Sequence, residues 1–167
     1  MFTAVTTLLV VLTLVFGGAG ATVYAAQDAL PNEPLYGIKL ATENAQMAMT
    51  GDPADAARLA IKHASQRMNE YAQMTASQEP VEDAFKNSFK NSYMDSWQEA
   101  YKHAAEVEDD GELLLLMEQI KTELKLQEQK MAQLQEKCQC PDDPLMLQIR
   151  EMLQSRQRLM VNINEDT

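Results

Sequence analysis

Phe85-Lys-Asn-Ser, Phe89-Lys-Asn-Ser, Tyr93-Met-Asp-Ser, Trp97-Gln-Glu-Ala and Tyr101-Lys-His-Ala follow one another without a break, so the chain repeats an aromatic, two polar residues and a small one. Strict alternation would mark a strand, whereas a repeat of four lies close to the helical period. Each step advances about 400° on a helix of about 3.6 residues per turn, so the aromatic stripe drifts about 40° per rung and about 160° over the whole run. A stripe that winds in this way is covered by no one partner. The helix should therefore sit centrally and meet different neighbours at its two ends, with Ser88, Ser92, Ser96, Ala100 and Ala104 allowing close approach. The aromatics read as a core ladder, the alternative being a groove for an apolar or aromatic ligand.

Outward from this run, four breaks punctuate the chain: Thr50-Gly51-Asp52-Pro53, Ser77-Gln78-Glu79-Pro80, Asp109-Asp110-Gly111 and the turn from Cys138 to Pro144. Pro53, Pro80 and Pro144 suit a first helical turn, where the missing N–H costs nothing, and Asp52 and Asp143 can accept orphan amide hydrogens. Asp109 and Glu112 have the spacing of a capping box. These signals predict helices over 34–49, 53–77, 80–108, 111–137 and 144–163. Leu113, Met117, Ile120, Leu124, Met131, Leu134 and Cys138 make a stripe on the fourth, and Leu145, Ile149, Met152, Leu159 and Ile163 one on the fifth. Long amphipathic helices on short loops pack as antiparallel neighbours, in bundles and short coiled coils. Gln127 and Arg156 interrupt the stripes and are expected to fix register at some cost in stability.

Composition agrees. The 167 residues are 46% hydrophobic, only 6% aromatic and rich in helix formers, including 11 Met. The fold class is all-α: an N-terminal transmembrane helix followed by an antiparallel bundle of about five helices. With 14 Lys+Arg against 25 Asp+Glu the net charge is −11, which repels phosphate backbones and argues against nucleic acid as a partner.

Phe2 to Ala26 carry no charged side chain. As a helix this run spans about 37 Å, more than the ~30 Å hydrocarbon core of a bilayer. Residues 1–27 are expected to be a transmembrane anchor, or a signal segment cleaved near Val23-Tyr24-Ala25, and residues 28–167 an exported helical domain in the periplasm or at the cell surface. No Lys or Arg precedes Lys39, so orientation is weakly specified, and the natural chain is expected to begin upstream of Met1 or to have had a cytoplasmic segment removed.

The junction after the apolar run reads Leu30-Pro31-Asn32-Glu33-Pro34-Leu35-Tyr36-Gly37-Ile38-Lys39, with Glu43 one turn on. Pro31 and Pro34 stiffen the exit from the bilayer, Leu35 and Tyr36 can staple the next helix to the core, and Lys39 and Glu43 lie at i,i+4. The junction reads as a structural connector before it reads as a ligand site. It resembles the opening of a bacterial family of domains of unknown function that carries L-P-x-x-P-L-Y-x-x-K-x-x-x-E after a membrane segment. The similarity continues through Pro53, Ala57, Arg58, Leu59, Ala64, Arg67 and Glu70, strongest over residues 28–75, with a looser helix pair around Cys138–Pro144. What the resemblance implies is an exported, membrane-anchored helical domain, attached in some relatives to anti-sigma-factor-like segments, and no reaction. Asn32-Glu33 stand where a Gly-acid pair is more usual.

Candidate chemistry is sparse. Cys138 and Cys140 are the only cysteines; two thiols make at most half a zinc site, and a disulfide or inert thiols are the simpler expectation than a soft ion such as Cu(I). Met47, Met68, Met117, Met131 and Met152 read as core filler. Glu99, His103 and Glu106 share a helix face that could hold a divalent cation, against the reading of a solvated helix end. No nucleophile elbow, P-loop or dinucleotide fingerprint occurs. The expected function is a non-enzymatic interaction module tethered to the membrane, without cofactor, with an unknown protein partner or a second copy of itself. The alternative is an envelope metal-ion or small-ligand binder.

Overall fold

The computed structural model describes residues 24–76, 81–138 and 143–165, apart from the side chains of Cys138 and of residues 159–165. Nearly all of the expected anchor, the loop holding Cys140, and the side chains of Cys138, Leu159 and Ile163 lie outside the described residues. Five long helices follow: α1 Tyr36–Met49, α2 Pro53–Ala76, α3 Asp83–Ala104, α4 Asp110–Cys138 and α5 Pro144–Glu165. Among the described residues there is no strand, and no helix is long and apolar enough to cross a membrane.

The helix starts are those that local chemistry specifies. Asp52 Oδ1 accepts the N–H of Asp55 at 2.9 Å, Asp109 Oδ1 that of Glu112 at 2.7 Å, and Asp143 Oδ1 that of Leu145 at 2.9 Å. Each side chain supplies an acceptor that the first helical turn lacks. The box at Asp109 closes on one side only, because the Glu112 carboxylate turns to Arg58, 2.9 Å away. The helix expected over 80–108 is shorter at both ends. Its start, after Glu82, has no side-chain cap, and the acids from Glu106 to Asp110 disfavour a C-terminal turn while suiting the first turn of α4.

The chain divides into two compact units, residues 1–48 and 49–167. The first, described from Tyr24, contains the junction and nearly all of α1. The second is a helical bundle. Tyr71, near the end of α2, stacks on Phe89 in the first half of α3 at 4.4 Å between centroids, so α2 and α3 are antiparallel. Glu128 of α4 accepts from Gln154 and Gln157 of α5 at 2.9 and 3.2 Å, and the short turn between them makes this pair antiparallel too. Arg58, Ser65 and Asn69 of α2 meet Glu112, Glu123 and Lys130 of α4 in ascending order, so these two helices run parallel.

The aromatic run winds as its spacing requires. Phe85 and Phe89 meet Tyr71 of α2, Tyr93 and Trp97 reach Gln127 of α4, and Tyr101 lies under Arg156 of α5, 4.6 Å from ring centroid to guanidinium. Phe89, Tyr93 and Trp97 are buried, so the ladder is core. As its winding stripe requires, α3 meets all three other helices of the bundle, lying closest to α2 and touching α4 and α5 at fewer points. The cause is side-chain size. Ala57, Ala60 and Ala64 lie on the same face of α2 as Met68 and Tyr71, all buried, and let the backbone of α3 come close, whereas the indole and phenols of α3 hold α4 and α5 away.

Both apolar stripes need correction. In α4 the buried positions are Leu116, Ile120, Leu124, Gln127, Met131 and Leu134, while Leu113 and Met117 are half-buried. In α5 Leu145, Met146, Ile149 and Leu153 are buried and Met152 is half-buried. Of the methionines expected in the core, Met68 and Met131 are fully buried; Met47, Met117 and Met152 are half-exposed.

Candidate functional site

Charged side chains are rarely buried unless paired. Among the described residues, the buried Lys, Arg, Asp and Glu are Lys39, Glu43, Arg67 and Glu70. All four belong to the K-x-x-x-E and R-x-x-E steps singled out in the sequence. On α2, Arg67 Nη1 lies 2.5 Å from both oxygens of Glu70, and the two side chains are 3% and 5% exposed. At i,i+3 they share one helix face.

On α1, Lys39 Nζ donates to the carbonyl of Ala29 at 3.3 Å and stands 6.0 Å from the Tyr36 ring centroid. Leu30-Pro31-Asn32-Glu33 forms a turn closed by Glu33 N–H to Leu30 O at 2.8 Å, and the Glu33 carboxylate accepts the Leu30 N–H at 2.9 Å. Pro34 and Leu35 lead directly into α1, since Leu35 O accepts from Ile38 and Lys39 at 3.0 and 3.2 Å. The stretch holding Pro31, Pro34, Leu35, Tyr36 and Lys39 is thus a self-bonded connector, in which Lys39 ties the helix back to the chain before it, while Glu43 is buried one turn further along α1.

A second polar group lies inside the bundle. Gln127 is fully buried. Its Oε1 accepts from the Tyr93 hydroxyl and, at 3.3 Å, from the Trp97 indole N–H; its Nε2 donates to Ser65 Oγ at 3.1 Å and to Glu123 Oε1 at 3.0 Å. Ser65 in turn donates to Glu123. One amide therefore joins α2, α3 and α4 with its hydrogen-bonding capacity filled. Burial pushes the Tyr93 phenol well up, so it stays a donor. Arg156, the other interruption, covers Tyr101 rather than entering the core.

Glu99, His103 and Glu106 come together as their spacing required. His103 Nε2 lies 3.3 Å from Glu99 and Nδ1 lies 3.0 Å from Glu106, while Lys102 also pairs with Glu99 at 3.1 Å. Both ring nitrogens therefore face carboxylates. No group of three or more His, Cys, Asp or Glu among the described residues is arranged to hold a metal ion. An open cleft of about 310 Å³ runs between the starts of α3 and α5; Lys86 and Asp143 bridge it at 2.8 Å, beside Asp83 and Lys90. Its two cations and two anions balance.

His63 was not singled out by sequence. It is buried, and burial, helped by the positive charges of Arg67 and Lys62, lowers its pKa from 6.5 to about 4. The folded protein keeps it neutral while the unfolded chain takes up a proton near its ordinary value. The stability it contributes is therefore complete above that value and is lost as pH falls towards 4. Urea unfolding at about pH 7 and about pH 4.5 should show a loss about 1–2 kcal/mol larger in the wild type than in His63→Gln, after allowance for partial solvent screening.

No curated protein and no solved structure is significantly similar to the chain. A family model described as Domain of unknown function (DUF5667) matches residues 28–139. That span, well over half of the chain, starts at the acidic residue before the junction and runs through α4, taking in all four buried charges and Gln127; the chain belongs to the DUF5667 family.

Proposed function

We propose that this protein is a non-enzymatic, membrane-tethered helical interaction module. Its bundle faces away from the cytoplasm, and it serves envelope sensing or sigma-factor-linked signalling through a protein partner. The observation that carries the reading is the use made of the buried polar groups. Arg67, Glu70 and Gln127, the groups best placed to do chemistry, bind one another or neighbouring helices, so their role is to hold a defined surface in shape. The uncharged run from Phe2 to Ala26 supplies the tether, and the self-bonded turn from Leu30 to Lys39 supplies a stiff exit from the bilayer.

Carbonate washing of membranes tests the tether: the chain should stay in the pellet, and full release into the supernatant would sink it. Titration with Cu(I) and Zn(II) tests the rival reading. Micromolar binding abolished by Cys138→Ser would favour an envelope metal-ion binder instead.

A further inference from the structure

Besides its buried seam, α4 carries a second heptad stripe on its outer face. Leu115, Gln119, Thr122, Leu126, Gln129 and Gln133 follow at steps of four and three, and all six are exposed. None is charged, although the helix around them is dense in Glu and Lys. Leu115 is 73% and Leu126 43% exposed. An ordinary solvated helix face places charges there; an uncharged a/d stripe flanked by charges is the pattern of a helix that pairs with another.

The flanking charges identify the partner and its direction. With Gln119 and Leu126 at a, and Leu115 and Thr122 at d, the g positions hold Glu118 and Lys125 and the e positions Glu123 and Lys130. A parallel pair would set Glu118 against Glu123 and Lys125 against Lys130, like against like. An antiparallel pair centred between Ile120 and Lys121 of each copy sets Leu115 of each copy on Leu126 of the other. It also places Gln119 beside Thr122, and Glu118 beside Lys125, twice each by symmetry. Among the described residues of one chain, Glu118 makes a loose pair with Lys121, at 3.5 Å, and remains 67% exposed. The geometry points to a second copy of this chain docking antiparallel along the outer face of α4, as a weak reversible dimer. This stands independently of the tether.

Sedimentation of the full chain in detergent, at concentrations up to about 500 µM, tests it. The expected result is a concentration-dependent dimer that Leu115→Glu abolishes. Glu118→Lys alone and Lys125→Glu alone should each weaken it on the order of tenfold, because two attractive pairs become repulsive, while the double reversal should restore it. Circular dichroism of each variant confirms that these surface changes leave the helices intact. A strictly monomeric chain, association indifferent to Leu115→Glu, or association strengthened by Glu118→Lys, the mark of a parallel pair, would overturn the inference.

Discussion

Replacement of Gln127 by leucine should lower the unfolding free energy by about 3–5 kcal/mol, although the substituted side chain is apolar, of similar size and placed in an apolar stripe. The reason lies in what it leaves behind. The Tyr93 hydroxyl and the Trp97 indole N–H both donate to Gln127 Oε1 in the interior, and Glu123 and Ser65 take its amide hydrogens. Each buried donor deprived of a partner costs about 1–3 kcal/mol, which outweighs the gain from burying two methyl groups. Tyr93→Phe in the same chain removes one of the orphans, so the double variant should recover part of the loss. Urea unfolding followed by the fluorescence of Trp97 reads both effects. A Gln127→Leu variant as stable as wild type would mean that the network contributes nothing to stability.

The second large effect is expected at Arg67. Removing it, as in Arg67→Ala, leaves a carboxylate that is 5% exposed without the guanidinium 2.5 Å away, and breaking a buried pair from one side costs about 3–5 kcal/mol. Lys102→Ala is the control. It breaks an ion pair of the same i,i+3 spacing between side chains that are 55% and 42% exposed, and such pairs contribute no more than about 0.5–1 kcal/mol. If the two variants lost equal stability, burial would not be what makes the Arg67 pair important.

Much of this fold is legible in the sequence because its punctuation is local. Asp52, Asp109 and Asp143 cap helices within three residues of themselves, and a cap needs no knowledge of the rest of the chain. Gln127 could be found because a polar residue in an apolar stripe is conspicuous. The stripe itself was misplaced by one residue at its start. Leu113 to Leu116 are four consecutive leucines, so periodicity cannot choose among them, and in the fold Leu116 is the one of the four that is buried. Likewise α5 buries Leu153 rather than Met152, a choice made by packing against α4. That α3 lies closest to α2 is less legible, because five large rings predict several neighbours without ranking them, whereas close approach of backbones is governed by the smallest residues, here the alanines of α2.

The buried charges show the limit most plainly. Read singly, Lys39, Glu43, Arg67 and Glu70 are surface residues, since charge is the strongest sign of exposure. Only their place in a recurring pattern set them apart, and the structure gives the physical content of that pattern: among the described residues, these four are the Lys, Arg, Asp and Glu taken out of water. The resemblance noticed in the sequence was strongest up to residue 75, while the family match extends to residue 139. Beyond α2 the determinants are a dispersed heptad seam and an aromatic ladder, which many residue choices satisfy and no short motif records.

The proposed role requires the bundle to lie outside the cytoplasm. A single cysteine at exposed Gln98, in a chain with Cys138→Ser and Cys140→Ser, can be treated with a membrane-impermeant maleimide in intact spheroplasts and again after lysis. Equal labelling before and after lysis is the expected result. Labelling that appears only once the membrane is broken would place the bundle inside the cell and contradict that role.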